Sequence, residues 1–319
     1  MSRFAALDLA TLPEPSAVVE LDYNALLEAR LVELDRHLRD GRFEQAEADE
    51  IMALARSIAA SPARYISEAG ASRELYMNAR INAAVKSVLL ATATGSDLDH
   101  RGAGRGVARL VLDDSDPENT IYEDDESYRA RIQLVLESYS PYGPEGAYVY
   151  WALQASGDVL DVVPYGPDDN LDPPIPPAEP VICVLSRTGD GAASDALLES
   201  VYRNLKSDKR RPVGDKLTVI SATPAHYEVE AELQVVSAAT ASLVEEQALA
   251  TLQKFTSTRL AIGRPLYRTT LAAALKVDGV EEVIITKPAA DVMVGPFEAP
   301  YASSVKITVT SITGGWRNV

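Results

Sequence analysis

Along the first hundred residues the apolar positions recur at helical spacing. Leu27, Leu31, Leu34 and Leu38 fall at i, i+4, i+7 and i+11, one face of a helix that Gly41 stops. Ala48, Ile51, Met52, Ala55, Ile58 and Ala59 repeat the pattern. Ser61-Pro62 supplies a cap and a first-turn proline, and a long helix carrying Ile81, Val85, Val88 and Leu89 is expected to run to about Thr92, with Gly95 ending it. Residues 1–20 hold Pro13 and Pro15 and no helical period, so they read as an extended arm, frayed or laid on a partner.

Past residue 105 the pattern becomes mixed. Residues 106–122 read as irregular or short strand with an acidic loop at Asp113-Asp114-Ser115-Asp116. Helices are expected at Tyr128–Leu136 and Gly146–Ala155 and a strand at Val159–Val163. Residues 164–180 contain seven prolines in seventeen positions. Proline has no amide to donate, so this stretch is a stiff connection or a docked loop, and a hinge is one role it would suit. Then strands and helices alternate: Val181–Leu185, a helix capped by Ser194, Leu217–Ile220, and the clearest strand, His226–Val236. In it Tyr227, Val229, Ala231, Leu233 and Val235 face one side and Glu228, Glu230, Glu232 and Gln234 the other, a strand with one buried face. Helices from Ser242 to Arg259 and from Thr269 to Lys276 follow, then strands at Val280–Thr286 and Ser303–Thr310. In the last strand Val305, Ile307 and Val309 alternate with Lys306, Thr308 and Thr310. The fold class is therefore α+β: an N-terminal helical bundle segment, then mixed α/β sandwich layers. Three parts are expected: residues 1–105 as arm and helical domain, 106–180 as a middle segment with the Pro-rich connection, and 181–319 as the C-terminal α+β part.

The 319 residues carry a net charge of −17, which argues against nucleic acid and anionic membrane as partners, since both need a Lys/Arg footprint. No run approaches the roughly twenty apolar residues of a membrane span. The N-terminus has no secretory h-region, so folding in the cytoplasm is expected. The one cysteine, Cys183, sits in an apolar run and reads as a core residue.

Candidate chemistry is sparse. Asp97, Asp99 and His100 put two carboxylates and an imidazole within four residues, which a metal-assisted hydrolase would use. The spacing matches neither a helical zinc pair nor a calcium loop, and a turn or helix cap explains it more simply. Gly102-Ala-Gly104-Arg-Gly106 lacks the lysine and the strand context of a phosphate loop. Thr188-Gly-Asp-Gly191 reads as a glycine turn before the Ser194 cap, and Glu123-Asp124-Asp125-Glu126 as acids answering a helix dipole. His37 and His226 have no motif neighbours. No metal, cofactor or catalytic residue is assigned.

A set of short motifs in fixed order runs through nearly the whole chain. They are Leu7-Asp8-Leu9 with Leu12-Pro13 and Leu21-Asp22-Tyr23, then Ala91-Thr92-Ala93-Thr94-Gly95-Ser96-Asp97-Leu98-Asp99-His100. Glu123 to Glu126 with Tyr128-Arg129-Ala130-Arg131-Ile132 come next, then Gly143-Pro144-Glu145-Gly146-Ala147-Tyr148 and Val184 to Gly191. Arg211-Pro212-Val213 with Asp215, Pro288-Ala289-Ala290-Asp291, Gly295-Pro296 and Ala299-Pro300-Tyr301 complete the set. In these the chain resembles the baseplate J-like family of contractile-tail wedge proteins, found in myophages and R-type tailocins. It departs in the length of its Pro-rich stretch and the glycines at 102–106.

The resemblance implies a structural, non-enzymatic role in a virion tail baseplate built in the bacterial host cytoplasm. Implied partners are a second copy in each wedge, other wedge proteins that share a helical bundle with the N-terminal helices, neighbouring wedges in a sixfold ring that opens on firing, and the sheath-initiating protein. The interface candidates are Leu27, Leu31, Leu34 and Leu38, whose stripe also suits an intrachain core, and Tyr227, Val229, Val305, Ile307 and Val309 on strands whose edges would extend sheets across subunits.

Overall fold

The computed structural model describes residues 8–41, 43–58, 60–140, 144–207, 210, 214–235 and 241–311. The motif residues Leu7, Gly143 and Arg211-Pro212-Val213, and the expected strand end Val236, lie outside these. The chain divides into two compact units, Leu7–Gly106 and a second that runs from Val107 to the end.

The first unit is helical. Helix α1 (Tyr23–Leu38) starts at Asp22, whose Oδ1 accepts from the amides of Asn24 (2.8 Å) and Ala25 (3.1 Å). That satisfies two of the four orphan donors at a helix start. Leu27, Leu31 and Leu38 are buried, with Leu34 half-buried, against Ala48, Met52 and Ala55 of α2 (Gln45–Ser57) and Ala71 of α3 (Pro62–Ser87). The small alanines let the helices approach closely around the larger leucines and Met52. The ion pairs between these helices, Arg56–Glu28, Arg39–Asp49 and Arg30–Glu74, are solvent-exposed and screened by water, so they contribute little. The leucine stripe therefore holds this unit together.

The helix edges differ from expectation in two places. Helix α2 stops at Ser57, so Ile58 is an exposed cap residue rather than core. Helix α3 starts as read, with Ser61 Oγ accepting from the Arg64 amide (3.1 Å), but ends at Ser87 rather than near Thr92. There the Ser87 hydroxyl donates to Ala84 O and the Thr92 hydroxyl to Lys86 O (2.6 Å), taking carbonyls that continuing helical amides would have used. Residues 88–94 turn, and α4 (Gly95–Ala103) follows, with Leu98 fully buried. The described part of the arm is neither frayed nor free. It lies along α3, where Asn82 receives the Val19 amide (3.1 Å) and donates to Val19 O (2.8 Å), and Glu14 pairs with Lys86 (2.7 Å).

The second unit opens with a short antiparallel hairpin, β1 (Val111–Asp113) and β2 (Ile121–Tyr122). Helices α5 (Asp125–Leu134) and α6 (Glu145–Leu153) follow. A three-stranded sheet then forms in the order β3 (Val159–Tyr165), β4 (Val181–Ser186), β5 (Thr218–Ser221). β3 and β4 are antiparallel, whereas β4 and β5 run parallel through helix α7 (Asp195–Leu205). This sheet is covered on both faces. Ile182 and Val184 pack with Tyr148, Ala152, Leu197, Val201 and Leu205, while Cys183 and Leu185 pack with Tyr165, Ile175, Ala222, Ile262 and Ala299. A strand covered on both sides has no polar alternation, which is why 181–185 is a continuous apolar run.

The Pro-rich segment joins β3 to β4, which are neighbours in one sheet, and lays Leu171 and Ile175 on the cluster around Cys183. It is a docked connection within a domain layer, so the hinge role is not what its surroundings support. The expected division at residue 180 falls inside this sheet.

The last layer is a sheet in the order β7 (Val280–Lys287), β6 (Thr223–Val235), β8 (Glu298–Ser311). Helices α8 (Ala241–Arg259) and α9 (Arg268–Leu275) cover one face, closing a core of Tyr227, Val229, Ala231, Leu233, Val235, Val244, Ala248, Leu252, Leu271 and Leu275. The fold is α+β.

Candidate functional site

The candidate reactive residues do not converge. Asp97, Asp99 and His100 all sit exposed on the nine-residue α4, around the buried Leu98 that the motif places in the core. Among the described residues no group of three or more His, Cys, Asp or Glu side chains stands where it would hold a metal ion. His37 Nδ1 lies 2.8 Å from Glu33 O on its own helix, and His226 is an exposed neighbour of Asp190 (3.4 Å) and the Tyr301 ring. Cys183 is fully buried, and burial pushes its thiol up to about 12, so no thiolate nucleophile is present at neutral pH. The Thr188–Gly191 loop is closed on itself. Gly189 and Gly191 have φ of 66° and 100°, and Asp158 accepts from the Ser186 hydroxyl (2.9 Å) and the Thr188 amide (3.1 Å). Gly102 to Gly106 form the end of α4 and the turn after it. No helix of the described residues is long and apolar enough to cross a membrane.

The acidic run at 123–126 has two roles rather than one. Asp124 caps α5 as read, its Oδ1 accepting from the Glu126 (2.9 Å) and Ser127 (2.8 Å) amides. Burial alone would raise its pKa; the Ser127 and Glu126 hydrogen bonds outweigh it and hold the carboxyl below its ordinary value. Glu123 instead turns inward and pairs with Arg131, and these side chains are only 2% and 3% exposed. Glu123 also accepts from the Leu110 amide (2.8 Å), while Arg131 donates to Ala108 O (2.7 Å) and, through Nε, to Glu123 (3.0 Å). Arg109 donates to Glu123 O and Asp125 (both 2.8 Å) and lies 4.7 Å over the Tyr128 ring. This network fixes the base of the β1–β2 hairpin onto α5. Sequence reading missed it because nothing in an i, i+8 Glu–Arg spacing distinguishes a buried pair from two surface charges.

The interaction candidates divide by burial. Leu27, Leu31, Leu34 and Leu38 lie in the core of their own chain. Tyr227 and Val229 lie on β6 and pair there with β8, while β7 joins β6 only from Glu230 onward; their side chains are buried in the core under α8 and α9. Val305, Ile307 and Val309 lie on β8, an edge strand, but their side chains pack into the core under α8 and α9. What β8 offers outward is a backbone edge that no other strand pairs among the described residues.

The apolar surface that remains uncovered is elsewhere. On α3 Ile66 (73% exposed), Met77 and Ile81 are exposed, as are Val88 at its C-cap and Tyr65 and Tyr76 further round the helix. Spacings of 11 and 4 residues keep Ile66, Met77 and Ile81 within one strip of the helix, which Arg30 of α1 meets at Gly70 and Glu74. Sequence reading gives Ile81 and Val88 to this helix without assigning its faces. The small Ala71 and the polar Ser67 and Asn82 are its buried residues, a pattern a hydrophobicity count does not find.

The comparisons agree with a structural chain of this architecture. Residues 60–116 match the Baseplate J-like N-terminal domain, and residues 141–221 match the Baseplate J-like central domain. The chain belongs to the baseplate J-like family, whose members are structural baseplate proteins and not enzymes. Among its relatives, Baseplate protein J of Escherichia phage P2 is 32% identical over 314 residues, covering 97% of this chain and 98% of the relative.

Proposed function

We propose that this chain is a wedge subunit of a contractile-tail baseplate. Two copies pair in each wedge, the helical unit enters a bundle with a second wedge protein, and six wedges meet in a ring around the hub. Opening of that ring on firing releases sheath contraction through contact with the sheath-initiating protein. Assembly takes place in the host cytoplasm.

The observation that carries this reading is the outward face of α3. A helix of 26 residues is about 39 Å long. It presents Ile66, Met77 and Ile81 to solvent, with Val88 exposed at its C-cap, while the core of its own unit is built from other residues. An apolar strip of this kind on a soluble chain marks a protein contact. The leucine stripe of α1, an alternative seam, is already buried inside the chain and is left to the intrachain core.

The test is negative-stain microscopy of lysates in which the gene is deleted, restored, or restored as Met77→Glu/Ile81→Glu. Loss of assembled contractile tails on deletion and recovery on restoration support the baseplate role. Loss with the double variant, whose purified chain keeps wild-type circular dichroism, supports the α3 seam. Complete tails in the deletion strain would end the reading.

A further inference from the structure

We propose that the β1–β2 hairpin is a docking prong for a basic, apolar-centred surface of another protein. The assembly reading above is used only to decide where that partner is sought. The hairpin is fixed at its base and bare at its tip. At the base the Leu110 amide donates to buried Glu123 (2.8 Å) and the Glu123 amide to Leu110 O (3.0 Å). Arg131 holds Ala108 O, and the Tyr128 hydroxyl holds Val107 O (2.8 Å). The Val111 backbone lies on Gly157 so closely that a Cβ there would meet Val111 O, with Leu112 Cδ2 at 2.9 Å.

Beyond this anchor the side chains are largely uncovered. Val111 (44%), Ile121 (54%) and Tyr122 (52%) are exposed, while Leu112 is 37% exposed with its side chain against Gly157. A two-stranded hairpin gains little stability from itself, and one whose apolar residues mostly face water gains little from a core. Its order comes from the base, and its apolar tip is presented rather than buried.

Charge selects the occupant. The tip carries Asp113, Asp114, Asp116 and Glu118, and among the described residues none of these four is in an ion pair. Their nearby hydrogen bonds come from neutral donors: the Ser115 amide to Asp113 (2.9 Å), and the Glu118 amide (3.0 Å) and Asn119 (2.8 Å) to Asp116. Four uncompensated negative charges beside a bare apolar strip repel nucleic acid and anionic lipid, and they disfavour a second copy of a chain with net charge −17. They complement Lys and Arg around an apolar centre.

The test places a photo-crosslinking amino acid at Ile121 in the full chain, expressed in cells that make complete tails. A crosslink to a Lys/Arg-rich segment of a different tail protein is the expected result. A crosslink to a second copy, or crosslinks only within the chain, would overturn the proposal. In parallel, Asp113→Asn/Asp114→Asn/Asp116→Asn/Glu118→Gln keeps acceptors for the turn hydrogen bonds while removing the charge. It is expected to lower the yield of complete tails about tenfold, as loss of electrostatic steering does. Full yield from this variant and from Ile121→Asp, with the deletion strain still lacking tails, sinks the prong and leaves the baseplate role standing.

Discussion

Replacing Glu123 by Ala removes one half of an ion pair whose other half cannot leave. Arg131 is 3% exposed, and the substitution takes away its Glu123 acceptor while the Ala108 O contact remains. The Leu110 amide loses its acceptor as well. Stranding one partner of a buried pair costs about 3–5 kcal/mol, and an orphaned buried amide about 1–3 kcal/mol where the two do not overlap. About 4 kcal/mol is therefore expected, roughly a thousandfold rise in opening of the hairpin base at 1.4 kcal/mol per tenfold. Hydrogen exchange read by mass spectrometry over residues 108–131 of the full chain measures this directly, and urea unfolding followed by circular dichroism gives the global part. The double variant Glu123→Leu/Arg131→Met removes both charges and is expected to recover most of the loss, because desolvating an ion pair consumes most of its attraction. A single variant that loses less than about 1 kcal/mol, or a double variant no better than the single, would refute the reasoning.

Three further outcomes follow from burial. Leu31→Ala, at a residue enclosed by α2 and α3, is expected to lower stability by about 2–5 kcal/mol in urea melts, while Ile66→Ala on the exposed strip of α3 stays within about 0.5 kcal/mol. The Tyr227 hydroxyl is buried without a hydrogen-bond partner among the described residues, and burial pushes its pKa up to about 12. Tyr227→Phe is therefore expected to be neutral or to stabilise by about 1 kcal/mol in the same melts, and a clear loss would mean the hydroxyl is satisfied. Burial raises the Asp161 pKa above its ordinary 3.8 despite amide hydrogen bonds from Ile262 and Val162. The folded state thus holds this proton more tightly than the unfolded chain, and stability falls as pH rises from 3.8 through the folded value. Asp161→Asn is expected to flatten that part of the pH profile of the melting temperature, and an unchanged profile would count against it.

The sequence by itself determined the element types, most of their limits and the family. Strict alternation at 226–235 identifies β6, an unbroken apolar run identifies the doubly covered β4, and Asp22, Ser61, Asp124 and Ser194 mark helix starts, because each signal is local and repeats with the period of the backbone. What only the tertiary structure decided is which apolar face meets which neighbour. Leu27 and Leu31 could not be assigned to an intrachain core or a seam until Met52 and Ala55 were seen against them. β6 could not be known as a central strand until β8 returned beside it in parallel register. The inward turn of Glu123 among four adjacent acids depends on Arg131 and the Leu110 amide arriving from two other places in the chain. Helical and strand periods say that a side must be covered. The identity of the cover depends on contacts between residues far apart in sequence, and no local pattern encodes those.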